Sequence, residues 1–253
     1  KGLTLIFKSI NIPNTQTGTK NELTDFTYAK VIAHSQGYDQ LPVITLEVSF
    51  PRVILAEGNT HKVISKNTSS SRAIPVKRII ERIREKPYFP FHWGANKPGM
   101  SADAECTNPI VNPYTNVPLT REEAWQAVMD QNIAWAQAFS DAGYHKQIVN
   151  RLIENFGYVT AVWTSCKWAN FMALRDHSAA QPEMQSLAKK IKEAIANSKP
   201  KFLQFGEWHL PYVTDEEKQE YELAEQILLS TARCASTSYN TVDGFTMDIN
   251  KAA

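Results

Sequence analysis

The sequence has 253 residues, of which 43% are hydrophobic and 21% are charged, an ordinary composition for a folded globular protein. Its 27 basic and 26 acidic side chains nearly cancel, so no charge excess indicates nucleic acid or an anionic membrane as a partner. No apolar run approaches the roughly 20 residues that cross a bilayer, and residues 1–12 lack the apolar core of a signal peptide, so we expect a cytoplasmic protein.

The first half of the chain predicts a strand, two helices and a long loop. Alternating apolar and polar residues at 43–48 indicate a strand, and 52–65 favours a helix after a proline ends that strand. A proline at the first position and an amphipathic pattern predict a helix over 75–84. Residues 87–119 contain six prolines and predict a loop of the length typical of lids and binding segments.

Helical patterns dominate the second half. Thr120 and Glu123 have the spacing of a capping box for a helix that runs to position 141. The apolar side of this helix is predicted to consist of Trp125, Val128, Ile133 and Phe139. Further helices are predicted at 145–155, 160–175, 182–198 and, from a second capping box at Thr214 and Glu217, at 214–234. We therefore predict an α+β fold, with a small antiparallel sheet and several packed helices in a single domain.

The cysteines predict neither a disulfide framework nor a metal site. Cys106, Cys166 and Cys234 are odd in number and widely spaced, without a C-x-x-C pair, so three unpaired thiols are expected. The chain begins without methionine and ends in Lys251-Ala252-Ala253. We expect that it is trimmed at one or both ends.

One unusual segment is NTHKVISKNTSSSRAIP, residues 59–75. It gathers histidine, lysine, arginine, asparagine and four serines with little charge of the opposite sign. Hydroxyls, amides and backbone N–H groups beside fixed cations suit a phosphate, because each supplies a donor and arginine can bind two oxygens at once. A solvated serine-rich turn is the alternative interpretation.

A second segment is TSCKWANFMALRDHSAAQPE, residues 164–183. On a helix, Trp168, Phe171, Met172 and Arg175 share one face through three- and four-residue spacing. This arrangement predicts a partly buried cation aimed at a ligand carbonyl or anion. The alternative is an arginine that complements the helix dipole while its stem packs on the core.

Together the two segments resemble the flavin-dependent thymidylate synthase family. Its members carry a motif R-H-R-x-x-S, followed by N-E-x-S-x-R, and a later helix N-x-R-S-L-x-N-F-L-x-L-R. THKVIS-K-NTSSSR and TSCKWANFMALR look like these motifs with matching internal spacing. VSFPRVILAEG also resembles the strand, proline and helix that lead into the first motif. The resemblance covers residues 27–75 and 120–240.

The motifs are matched only in part. The positions that retain the family residue are His61, Ser65, Asn67, Ser70, Arg72, Asn170, Phe171, Leu174 and Arg175. Thr60 and Lys62 stand where the family has arginines, and Thr68 stands where it has a glutamate. Thr164 and Cys166 replace an asparagine and an arginine in the later motif.

A third resemblance occurs near the end of the chain. RCASTSY, residues 233–239, looks like the A-A-R-V-S-Y segment near the start of ordinary family members. This order predicts a circular permutation, similar to the rearranged branch of large phages. In ordinary members that segment leads to a P-F-E-H stretch that contacts flavin, and P-F-E-H does not occur in this sequence. Either it follows Ala253 in a longer chain or the flavin site is altered.

The resemblance implies an activity and a set of site residues. The implied reaction transfers a one-carbon unit from methylenetetrahydrofolate to carbon 5 of dUMP, with FAD reduced by NADPH, in a homotetramer with shared active sites. Arg175 is the implied catalytic residue, since a fixed cation stabilises negative charge on the pyrimidine carbonyls. The implied substrate-binding residues are Glu57, Ser70, Ser71, Arg72, Arg151 and Arg175. The implied cofactor-binding residues are His61, Lys62, Ser65, Asn67 and Asn170.

Three alternatives stay open. Glu57 stands where the family usually has a glutamine, and a carboxylate only accepts hydrogen bonds. The amino group of dCMP would supply a donor to it, so methylation or hydroxymethylation of dCMP is the first alternative. The lost motif arginines and the missing P-F-E-H stretch favour a non-catalytic nucleotide- or flavin-binding homologue. An enzyme that modifies RNA or DNA is disfavoured by the balanced charge.

Overall fold

The computed structural model describes residues 24–38, 40–237 and 247–252. Within them, the main sheet has the strand order β3-β6-β2-β1-β7. Its strands are β1 (Tyr28–Gln36), β2 (Val43–Pro51), β3 (Ser65–Thr68), β6 (Tyr158–Ser165) and β7 (Lys201–Phe202), and a separate pair is formed by β4 (Ile110–Val111) and β5 (Pro118–Leu119). All neighbours in the main sheet are antiparallel except β1 and β7.

The main sheet has one apolar and one polar face, because successive side chains of a strand point to opposite sides. Ile44, Leu46, Val48 and Phe50 of β2 are buried in a core with residues of α5 and α6. The alternate residues of β2 face the other side, opposite hydroxyl side chains of β6 that include Thr160. The predicted strand at 43–48 is confirmed and continues to Pro51.

The helices are α1 (Leu55–Asn59), α2 (Val76–Glu85), α3 (Arg121–Asp141), α4 (Lys146–Val149), α5 (Ala169–Arg175), α6 (Pro182–Ala196), α7 (Asp215–Glu220) and α8 (Leu223–Ala235), with a last helical turn at Ile249–Ala252. Single 3₁₀ turns lie at Arg52–Ile54, Asn150–Leu152 and Glu154–Phe156. The predicted α+β class is confirmed. No described helix combines the length and the apolarity that a membrane crossing requires.

Local signals placed several helices correctly. The helices predicted at 75–84 and 182–198 correspond to α2 and α6, and the capping box of Thr120 and Glu123 begins α3 as predicted. The predicted apolar side of α3 is wrong at Val128, whose side chain is exposed. The turn of the helix, about 100° per residue, directs Val128 away from the buried Met129 and Ile133.

Four predicted helices need correction. The helix at 160–175 is wrong over 160–165, which belongs to β6 and pairs with both β2 and β3. The helix at 52–65 ends at Asn59, since Ser65 starts β3. The helix at 145–155 is the short α4 followed by two 3₁₀ turns.

The fourth correction concerns residues 214–234. Thr214 and Glu217 form the predicted capping box, but the helix stops at Tyr221, whose backbone is extended. Glu222 and Glu225 then form a second capping box that begins α8. One predicted helix is therefore two, because the sequence contains a further helix-start signal.

The loop over 87–119 is anchored to the helices at its beginning. The carboxylate of Glu183 on α6 accepts hydrogen bonds from the Tyr88 hydroxyl at 2.8 Å and from the Phe91 amide at 3.1 Å. The indole of Trp125 on α3 donates to the Tyr88 carbonyl at 2.8 Å. The predicted loop is confirmed, with β4 and β5 as its only described strands.

Candidate nucleotide site

His61 and Arg175 meet where α5 packs beside the turn that precedes β3. The Nε of Arg175 donates to Nε2 of His61 at 2.8 Å, and its Nη2 donates to the Thr60 hydroxyl at 3.3 Å. The His61 ring is buried and lies edge-on to Phe171, with ring centroids 4.9 Å apart. Burial, followed by the charges of Arg175 and Lys66, lowers the pKa of His61, so the imidazole is held as a neutral acceptor.

The turn that carries His61 is held by its neighbours. Lys66 donates through Nζ to the carbonyls of His61 and Ile64, the latter at 2.8 Å. The hydroxyl of Ser165, at the end of β6, donates to the Val63 carbonyl at 2.9 Å. These contacts replace the predicted helix and fix the position of the imidazole.

Glu57 lies on α1, one turn before this histidine. Its backbone carbonyl accepts from the Thr60 hydroxyl at 2.6 Å. Its carboxylate oxygen Oε2 is buried and has no hydrogen-bonding partner among the described residues. A buried acceptor without a donor is costly, which makes this oxygen a candidate contact for a ligand.

The remaining residues predicted at this end of β3 are open to solvent. Lys62, Ser65 and Asn170 are exposed. Asn170 lies on α5 directly before Phe171, the residue that packs against His61. Arg175 therefore contacts His61 directly and is linked to Glu57 through the Thr60 hydroxyl, while the side chains of Lys62, Ser65 and Asn170 are accessible to solvent.

A second group of predicted residues gathers around Glu154. Its carboxylate accepts from the Ser71 hydroxyl at 2.7 Å and pairs with Arg151 at 2.8 Å and Arg52 at 3.1 Å. Burial acts to raise the pKa of Glu154, but the hydrogen bonds from Ser71 and Arg151 and the charge of Arg52 outweigh it and keep the pKa below its ordinary value. Arg151 and Ser71 are therefore linked through one ionised carboxylate.

Arg72 and Ser70 lie in the turn between β3 and α2. Arg72 is exposed, and the carbonyl of Ser70 accepts from the Ala73 amide at 3.0 Å. The buried Asn150 holds this turn, donating to the carbonyls of Ser71 at 2.6 Å and Ile74 at 2.9 Å. The turn is thus preformed by a side chain that the sequence analysis did not select.

Asn67 contacts the C-terminal end of α8. Its amide nitrogen lies 2.6 Å from the carbonyl of Cys234, 2.8 Å from that of Ala235 and 2.7 Å from the hydroxyl of Thr237. The first motif and the RCAST part of the third resemblance are therefore neighbours in space. Positions 238 and 239 of that segment lie outside the described residues.

The two groups lie at opposite ends of β3. His61 precedes Ser65, the first residue of the strand, and Ser71 follows Thr68, its last. Four extended residues span about 10 Å. A ligand that contacts both groups within one chain must reach across that distance.

A cavity of about 320 Å³ lies at the Ser71 end, between α2 and the polar face of the sheet. It is lined on the α2 side by Arg78, Arg82 and Lys86, and Arg52 and Glu154 also line it. Sequence reasoning missed these residues. Two signals in the sequence could have indicated them. Arg78 and Arg82 have the i, i+4 spacing of one helix face, and Arg52 directly follows the last residue of β2.

An α+β chain with an arginine and histidine pair and a cationic cavity has the donors to bind an anionic, carbonyl-bearing ligand. Residues 9–201 match the thymidylate synthase complementing protein family, and the chain belongs to that family. Two crystal structures of thymidylate synthase X from Helicobacter pylori, both with FAD and dUMP, are similar to it, each at 16% identity and a TM-score of 0.41. Each comparison covers 60% of this chain and 67% of the other. No curated protein matches the chain.

Proposed function

We propose that the chain is a flavin-dependent thymidylate synthase-like enzyme that transfers a one-carbon unit from methylenetetrahydrofolate to carbon 5 of dUMP. The observation that carries this proposal is the 2.8 Å hydrogen bond between Arg175 and His61, which joins the two family motifs in space. FAD, reduced by NADPH, would supply the hydride for this transfer.

The residues around His61 fit a flavin and a pyrimidine. The neutral ring of His61 is buried, while the hydroxyl of Ser65, the amide of Asn170 and the ammonium of Lys62 are exposed. Nη1 of Arg175 has no hydrogen-bonding partner among the described residues, so it can donate to a ligand. We assign the flavin to His61, Lys62, Ser65 and Asn170. Asn67 is assigned a positioning role instead, because its amide contacts α8.

Arg175 is the proposed catalytic residue. Two of its guanidinium nitrogens are held by His61 and Thr60, so the cation keeps one orientation. A fixed cation beside the pyrimidine carbonyls stabilises the negative charge that develops when carbon 5 becomes nucleophilic. His61 does not compete for this role, because the lowered pKa keeps it uncharged.

We assign the substrate phosphate to Ser70, Ser71, Arg72 and Arg151, and the pyrimidine to Glu57 and Arg175. The buried Oε2 of Glu57, which has no donor among the described residues, also supports dCMP as a second candidate substrate. The amino group at carbon 4 of cytosine would supply a donor to this oxygen.

The proposal is tested with purified protein, FAD, NADPH, methylenetetrahydrofolate and either dUMP or dCMP. We expect a yellow, flavin-bound protein and a product heavier by one methyl group, with the reacting nucleotide identifying the substrate. A hydroxymethyl product would be separated by its mass. Protein that stays colourless with added FAD would exclude the enzyme. Protein that binds FAD and nucleotide without turnover would favour a non-catalytic homologue.

A matched pair of variants on α5 tests the role of Arg175. Arg175→Lys keeps the charge but loses the planar fork that His61 and Thr60 hold, so we expect kcat to fall by about 100-fold or more. Leu174→Ala, at the exposed neighbouring position, should keep kcat within about two-fold. An Arg175→Lys enzyme with the kcat of the wild type would exclude this role.

We also propose that the chain is circularly permuted relative to ordinary family members. The contacts of Asn67 with the carbonyls of Cys234 and Ala235 support this interpretation. They place a segment that resembles an N-terminal family segment beside the first motif, although it lies near the C-terminus of this sequence.

A further inference from the structure

The cavity between α2 and the polar face carries an excess of positive charge. Among the described residues, Arg52, Arg78, Arg82 and Lys86 line it, against the carboxylates of Glu85 and Glu154. Glu81, which does not line the cavity, pairs with Arg78 at 3.3 Å, so the formal excess of this described group is one positive charge in an otherwise nearly neutral protein. An anion is therefore the ligand that this cavity's charge favours.

Hydrogen-bonding groups cover the sheet side of the same cavity. The lining hydroxyl side chains are Tyr28, Ser49, Ser69, Ser71, Tyr158 and Thr160. Ile74, Ile79 and Ile83 line it as apolar residues. Tyr28 already donates its hydroxyl proton to Glu47 at 2.9 Å, and Ser71 donates to Glu154 at 2.7 Å, so these two do not supply donors to an anion. The other hydroxyls beside guanidinium groups are the chemistry that binds phosphate, and apolar neighbours strengthen such contacts by lowering the local dielectric constant.

The size of the cavity suits a phosphate together with part of the molecule that carries it. Its volume of about 320 Å³ lies at the lower end of the range of roughly 300 to 1,000 Å³ for ligand sites. An isolated inorganic ion would leave most of this space to water. A phosphate ester is the better match.

We propose that this cavity binds the phosphate group of a nucleotide, and that Arg82 of α2 and Lys86, the residue after α2, contact it. The identity of the nucleotide rests on the proposed function, but the anion site rests only on the cavity and its charges. Of the residues assigned to the substrate from the family motifs, only Ser71 lines the cavity. Arg72 is exposed and does not line it.

Arg52 has a positioning role in this site. Its Nε is 3.1 Å from the carboxylate of Glu154, which also accepts from Ser71. The carboxylate of Glu154 therefore holds the Ser71 hydroxyl and the Arg52 guanidinium at one wall of the cavity. Lys86 directly follows the last residue of α2, and its amide donates to the Arg82 carbonyl at 2.9 Å; both side chains line the cavity.

Two sources could supply the phosphate, namely the pyrimidine nucleotide and FAD. Isothermal titration of the full chain with dUMP, deoxyuridine, FAD, riboflavin and inorganic pyrophosphate separates them. We expect pyrophosphate to bind, and the affinity to fall as salt is added because the contact is ionic. Whichever of dUMP and FAD loses affinity in the variants below is the source of the phosphate.

The main variant combines Arg82→Gln and Lys86→Gln. Lys86→Gln alone is used if this double variant does not fold. The control is Arg84→Gln, an arginine of α2 that is exposed and does not line the cavity. We expect the double variant to bind pyrophosphate at least about ten-fold more weakly than the wild type does. Lys86→Gln alone should show a smaller loss of affinity. The control should bind like the wild type, and deoxyuridine and riboflavin should be unaffected.

Wild-type protein that does not bind pyrophosphate would overturn the proposal, as would an equal loss in the Arg84→Gln control. The proposed function fails separately. If pyrophosphate binding depends on Arg82 and Lys86 but neither dUMP nor FAD binds, the anion site is supported and the proposed function is excluded. If the wild type forms product and both variants bind dUMP and FAD like the wild type, the proposed function is supported and the proposed phosphate site is excluded.

Discussion

The imidazole of His61 accepts a hydrogen bond from Arg175 and must be neutral to do so. Its pKa is lowered by burial and by the charges of Arg175 and Lys66. A histidine with a lowered pKa binds fewer protons in the folded chain than in the unfolded chain. Its contribution to stability is therefore complete above the ordinary pKa of about 6.5 and is lost as the pH falls below that value.

We accordingly expect the free energy of unfolding to decrease as the pH falls from about 7 to 5. His61→Gln should flatten this dependence, because glutamine still offers an acceptor to Arg175 but takes up no proton. Urea denaturation at several pH values measures the effect. His177→Gln, at an exposed position, is the control. An unchanged pH dependence in His61→Gln would contradict the expectation. Burial also lowers the pKa of His34 and His209, so part of the dependence should remain.

At the scale of elements, β3 connects the two groups of site residues. The strand pairs with β6 from Ser65 to Thr68, and Asn67 joins it to the end of α8 through the carbonyls of Cys234 and Ala235. The last carbonyls of a helix have no partners within the helix. Asn67 therefore acts as a cap for α8 from a different part of the chain.

Asn67→Ala tests this capping. The variant removes donors from the end of α8, so we expect a loss of about 1–3 kcal/mol in the free energy of unfolding. Chemical denaturation measures it. The control is Ser65→Ala, an exposed position on the same strand, for which a change within about 0.5 kcal/mol is expected. Equal stability of the two variants would show that the contact with α8 contributes little.

At the scale of the whole molecule, α3 has apolar residues on two sides. Met129, Ile133 and Ala136 are buried in the core, while Val128 and Trp135 are 49% and 58% exposed. Val128 and Trp135 are seven positions apart and therefore lie on the same side of the helix. The same outer face carries small residues, namely Ala124, Ala127, Ala134 and Ala138. Small residues beside exposed apolar ones suit close helix packing, so we propose that this face contacts a second copy of the chain in a homo-oligomer.

Light scattering tests this proposal with one substitution on the face and one beside it. Trp135→Asp places a charge on the proposed contact and should lower the mass in solution towards that of a monomer, because burying an unpaired charge is costly. Asp130→Asn changes a charged residue elsewhere on α3 and should leave the mass unchanged. A monomeric wild type, or an oligomer that Trp135→Asp does not weaken, would exclude α3 as the interface.

Cysteine chemistry is not used in the proposed mechanism at any of these scales. The three cysteines are free thiols, as the spacing predicted. Burial raises the pKa of Cys234 to about 11, so its thiol stays protonated near neutral pH and is a poor nucleophile. Cys166 is exposed directly after β6.

The sequence by itself determined the features that depend on neighbouring residues. The capping boxes of α3 and α7, the amphipathic α2 and the alternation of β2 are local patterns, because a few adjacent side chains set the backbone conformation. The ordered motifs around His61 and Arg175 likewise indicated the family without any structure.

Only the tertiary structure decided the features that depend on distant residues. The position of β6 between β2 and β3 is such a feature, whereas its strand conformation is typical of the β-branched and aromatic residues in Tyr158–Ser165, which the predicted helix at 160–175 overlooked. Asn67 contacts α8, 167 positions further along the chain, and the cavity brings Arg52 to Arg82 and Glu154. No periodicity in the sequence encodes such contacts, because they arise only when packing brings separate elements together.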